Sequence, residues 1–155
     1  MDNYDPLECQ MIGTRTALLC ALVGVLMAVL WLLPLIGVLF SSAGVIVGLV
    51  VLFWTAAYLG KLAGSFLCER GTDLALHVIV GIGVAFGSIV VAVLTGSIIS
   101  LIFDSTHELT LADSLSFVFA PVLMVLLVGG IPALCLGVIY GFVVQKQIAK
   151  LDLKH

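Results

Sequence analysis

The sequence predicts an all-α fold, a polytopic membrane protein built as a four-transmembrane-helix bundle with both termini cytoplasmic. Three observations carry this expectation. The 155 residues are 63% apolar and only 10% charged, with a mean hydropathy of +1.34, whereas soluble domains run near 45–50% apolar and about 25% charged. The apolar residues form long unbroken runs without the two-residue alternation of a membrane-barrel strand. Backbone groups in lipid must bond internally, so such runs cross as helices. Finally, all six Lys and Arg fall on one side of those runs. A water-soluble globule is thereby excluded, and a net charge of −3 lacks the clustered Lys/Arg of a nucleic-acid footprint. Residues 1–155 are expected to form a single membrane domain.

No residue between Arg15 and Lys61 is charged. That stretch is too long for one crossing of roughly 20 residues and suits two. A break is written at Phe40-Ser41-Ser42-Ala43-Gly44, where Ser42 is placed to cap a new helix. The first helix is therefore expected over 16–40 and the second over 43–60, joined by a very short hairpin. The leader ahead of the first helix is acidic (Asp2, Asp5, Glu8), and the run exceeds the apolar core of a signal peptide, so the helix is expected to be retained. Residues Lys61–Glu69 set Leu62, Phe66 and Leu67 beside basic residues, as in a short segment lying on the inner membrane surface.

After the polar stretch Cys68–Asp73, a third run covers 74–103, long enough to tilt or project from the bilayer. A fourth, expected over 114–144, follows the outer loop 104–113. In that loop Ser105 with Glu108, and Thr110 with Asp113, match capping-box spacing, so it is read as a helical turn and a capped helix start. Asp104, His107 and Glu108 share one side of the turn but supply too few ligands for a metal, and a solvated acidic cap is expected. Residues 145–155 form a basic C-terminal tail.

Four crossings place the N-terminus, the second connection and the C-terminus together. Arg15, Lys61, Arg70, Lys146, Lys150 and Lys154 all lie on that side and none on the other, so the positive-inside rule turns this end toward the cytoplasm. The implied setting is a bacterial inner (plasma) membrane. There Cys9, Cys20, Cys68 and Cys135 meet a reducing compartment or the inner parts of helices, and free thiols are expected.

Small residues at four-residue spacing are the most informative pattern. The fourth run carries Gly129, Ala133, Gly137 and Gly141, and the third carries Gly83 and Gly87, then Ala92, Gly96 and Ser100. Helices in lipid associate by close backbone approach, which such strips permit, so the third and fourth helices are expected to pack through them. Pro132 withholds a donor from the carbonyl of Val128 and predicts a bend or hinge. Ser88 and Thr95 share a face with Gly81 and are candidates for a wetted path, although such hydroxyls more often bond their own helix.

No ionisable residue falls in the cores of the four runs, which argues against a charge-coupled transporter or an intramembrane enzyme. Leu111-Ala112-Asp113-Ser114 looks like the Ala-Asp element of lipoprotein signal peptidases. The Gly-Asn-x-x-Asp-Arg motif that supplies their second aspartate is absent, and the likeness covers under ten residues. No enzyme activity and no cofactor are expected. Lys146, Lys150 and Lys154, at i, i+4 and i+8, form a stripe suited to anionic lipid. The function expected is that of a small membrane subunit acting by helix–helix contact, in assembly, regulation or immunity-type protection. Its partners are the lipid bilayer and another membrane protein or further copies of itself. An oligomeric channel or small-solute pore lined by the third and fourth helices is the alternative.

Overall fold

The computed structural model describes residues 6–31, 43–70, 73–104 and 111–152, and all of these except Asp73 are helical. The four helices are α1 (Pro6–Trp31), α2 (Ala43–Arg70), α3 (Leu74–Asp104) and α4 (Leu111–Asp152). Each is long and apolar enough to cross a membrane. Consecutive helices pack side by side as an antiparallel bundle, and α1 closes more lightly onto α4. The expected hairpin at residues 41–42, the outer-loop residues His107 and Glu108, and Lys154 lie outside the described residues.

The helices run further than apolar runs alone suggest. Helix α1 begins at Pro6, a residue whose fixed φ and missing N–H suit the first helical position. Helix α2 continues through Lys61 to Arg70, so residues 61–69 are not a separate surface segment. Packing explains the extension. Ala63, Leu67 and Cys68 are buried against Cys9 and Ala17 of α1, and a helix ladder carries an exposed Lys61 on its outer face without difficulty. Helix α4 starts at Leu111 and is uninterrupted to Asp152, about 63 Å at 1.5 Å per residue, with Pro121 and Pro132 inside it.

Glycine fixes how closely the helices approach. On α1–α2, a Cβ on Gly13 would collide with the Gly60 carbonyl and lie 2.8 Å from Gly64 Cα. On α2–α3, a Cβ on Gly44 would strike Ser100 and the Gly96 carbonyl, and one on Gly96 would come within 2.8 Å of the Gly44 carbonyl. On α3–α4, a Cβ on Gly141 would meet His77 O at 2.7 Å, and one on Gly81 would collide with the Gly137 carbonyl. Lipid offers these helices no hydrophobic drive toward one another, so such backbone-to-backbone fits are what holds them together.

These pairings also set the register. Ala17 opposite Gly60 brings Arg15 level with Lys61. The Cys20 thiol, which donates to Leu136 O at 3.8 Å, sets Lys146 about one and a half turns further toward the same end. All three cations are exposed. From about the level of Arg15 and Lys61 to the helix ends, α1, α2 and α4 run together and enclose a core of Cys9, Leu67, Cys68, Tyr140, Val144 and Ile148.

Candidate functional site at the basic end of the bundle

Of the residues expected to pack α3 on α4, Gly137 and Gly141 do so, and Ala133 is buried beside them in sequence. Gly87 and Gly96 face α2 instead: a Cβ on Gly87 would meet Leu59 Cδ1 at 3.2 Å. Gly83 faces outward with open space over it, and the α3 side of the seam belongs to Gly81. Gly129 is half-buried and Pro132 exposed. The face of Gly81 and Ser88 does lie inside, but Ser88 donates to Val84 O at 2.7 Å, and Thr95 to Val91 O at 2.8 Å. Both hydroxyls bond their own helix, as does Thr55 with Val51 O. Lys146 and Lys150 are exposed on the last turns of α4.

The chemistry-bearing side chains gather at the basic end. Cys9 and Cys68 are joined in a disulfide, with 6.2 Å between their Cα atoms, while Cys20 and Cys135 are free. The expectation of four free thiols is thereby corrected. The cause is the glycine seam: with Gly13 seated on Gly60 and Gly64, the extended ends of α1 and α2 place Cys9 opposite Cys68. Tyr140, only 1% exposed, reaches across the bundle, and its hydroxyl donates to Gly60 O at 3.5 Å.

His77 is the other buried polar group. Asp73 caps α3, its Oδ1 accepting the Ala75 N–H at 3.0 Å. The Asp73 carbonyl accepts both the backbone N–H of His77 at 3.2 Å and its ring Nδ1–H at 2.8 Å. A carbonyl only accepts, so Nδ1 carries a proton in this contact. His77 is 0% exposed, and Nε2 is the one buried side-chain N or O atom without a hydrogen-bond partner among the described residues. No group of three His, Cys, Asp or Glu that could hold a metal occurs among the described residues.

An unpartnered buried polar atom costs about 1–3 kcal/mol, and an apolar side chain of similar shape removes that cost. His77→Leu is therefore expected to leave the melting temperature in detergent unchanged or slightly raised. A marked fall would mean that Nε2 is engaged in the native membrane protein. Sequence reading passed over His77 because it precedes the apolar core of the third run. It passed over the α1–α2 seam although Gly13–Ala17 and Gly60–Gly64 carry the four-residue spacing, because Arg15 and Lys61 sit within those pairs.

Comparison with known protein families, curated proteins and solved structures finds no match. Function must be read from the arrangement itself, a narrow glycine-seamed bundle with a disulfide-closed end ringed by charge.

Proposed function

We propose that the protein is a small integral membrane subunit that acts by helix–helix contact with another membrane protein or a further copy of itself, in an assembly, regulatory or immunity-type role. The observation supporting this reading is the outward face of α4. Phe119, Leu123, Leu127 and Ile131 recur at four-residue spacing and are exposed, Leu127 to 77% and Ile131 to 73%. Gly130 stands beside them with open space where its side chain would be. Large side chains flanking a missing one give a neighbouring helix both a ridge and a notch. We orient the basic end toward the cytoplasm by the positive-inside rule, in a bacterial-type inner membrane, with Lys146 and Lys150 against anionic lipid.

A photo-crosslinking residue at position 127, activated in native membranes, tests the reading. A discrete protein adduct, either a homodimer or a defined heteromer, is expected. Lipid adducts alone, together with a monomer in native mass spectrometry, would overturn it. The pore alternative, resting on Ser88, Thr95 and Pro132, has no comparable observation in its favour.

A further inference from the structure

We propose that Cys9 and Cys68 form a reversible redox clasp that locks α1 to α2 at the basic end. The inference rests on the reading that this end faces the cytoplasm.

Three features of the molecule point the same way. First, the pair lies toward the charged ends of the two helices. Cys9 precedes Arg15 by six residues, about 9 Å of helix, and Cys68 follows Lys61 by seven, so both sulfurs lie nearer the helix ends than those two cations. Second, the approach of the helices does not depend on the bond. The contacts of Gly13 with Gly60 and Gly64, and of Ala17 with Gly60, hold the two backbones together one turn further in. Thiol and disulfide forms can thus interconvert without the bundle rearranging.

Third, both cysteines sit at helix ends, Cys9 in the opening turns of α1 and Cys68 in the last turn of α2. Each is buried, Cys9 to 1% exposure, yet terminal turns are the parts of a helix that open most readily. Leu7 and Met11, on either side of Cys9, are exposed.

The co-reactant is a low-molecular-weight disulfide of the glutathione class. The helix dipole is positive at the start of α1 and negative at the end of α2, so the attacking anion is favoured at Cys9. The Cys9 thiolate attacks one sulfur of the small disulfide, forming a mixed disulfide and expelling one thiolate. The Cys68 thiolate then attacks the Cys9 sulfur of that mixed disulfide and expels the second. Two protein thiols are oxidised, one small disulfide is reduced to two thiols, and the two protons pass to the expelled thiolates. Excess reduced glutathione reverses both steps.

The test uses full-length protein with Cys20→Ser and Cys135→Ser, so that only the pair reports. Purified protein is equilibrated over a range of reduced-to-oxidised glutathione ratios, quenched with acid, denatured and labelled with maleimide–polyethylene glycol. Two labels at the reducing end, none at the oxidising end and a reversible transition between them are expected. A pair that stays unlabelled at every ratio, or doubly labelled at every ratio, would overturn the clasp. The same labelling in growing cells is expected to show two labels before a thiol oxidant such as diamide and none after it. A pair already oxidised in untreated cells, despite a reversible titration, would overturn the cytoplasmic placement and the proposal with it. A failed titration overturns the clasp alone and leaves the helix-contact reading standing.

Discussion

Gly137→Leu is expected to be the most damaging single substitution in the bundle. A Cβ at this position would lie 2.6 Å from Ile82 Cα and 2.8 Å from Ile82 N. Both are backbone atoms, so no side-chain rotation relieves the overlap and α4 must move off α3. Overpacking in close-packed interiors costs about 1–3 kcal/mol when side chains can adjust, and here they cannot, so the upper end of that range or more is expected. Gly141→Leu strikes the same seam one turn away, against His77 O and Val78 Cα, and should behave alike. Gly83→Leu is the matched control. It lies two residues from Gly81 on α3, in open space, and should change stability by no more than about 0.5 kcal/mol. Thermal unfolding of the purified variants in mild detergent reads the difference. Equal losses for Gly83→Leu and Gly137→Leu would contradict the seam.

The second large effect is loss of the Cys9–Cys68 bond in oxidised protein. The bond closes a loop spanning 59 residues, and the chain-entropy relation assigns a loop of that size about 4 kcal/mol. A reductant should therefore lower the melting temperature of the oxidised wild type substantially. Cys9→Ala should melt at the reduced temperature whether or not reductant is present. Cys135→Ser, which removes an exposed free thiol, should respond to reductant as the wild type does. If Cys9→Ala still shifts with reductant, another disulfide carries the effect.

The crossing elements were legible because a long charge-free run has few ways to satisfy its backbone in lipid, and Ala43 and Leu74 begin helices where the sequence reading placed them. Helix ends were not. Arg15 and Lys61 terminate an apolar run, but they do not interrupt hydrogen bonding along the chain, so α1 and α2 pass straight through them. Small residues marked the packing correctly in kind and only partly in place. Gly81 and Gly83 are indistinguishable as residue types, yet on a helix two positions turn the side chain most of the way to the opposite face. Gly81 was read only with the hydroxyls of Ser88 and Thr95, although Ala85 stands four residues on and completes a small-residue pair. The pairing of Cys9 with Cys68 was hidden for a related reason. It depends on a glycine contact between segments far apart in sequence, which no local spacing encodes.

The hydroxyls show the opposite case. Thr55, Ser88 and Thr95 each bond a carbonyl of their own helix, an outcome that follows from side-chain reach alone and needs no knowledge of neighbours.

The threading of this bundle is open to one direct measurement, a pair of topology reporters in living cells. Alkaline phosphatase is inserted between Ser105 and Thr110 in one strain and fused after His155 in the other, each paired with a fluorescent-protein fusion at the same site. Phosphatase activity at the inserted loop, with fluorescence and no phosphatase activity at the C-terminus, is expected of four crossings with the basic end inside. Phosphatase activity after His155 would contradict it.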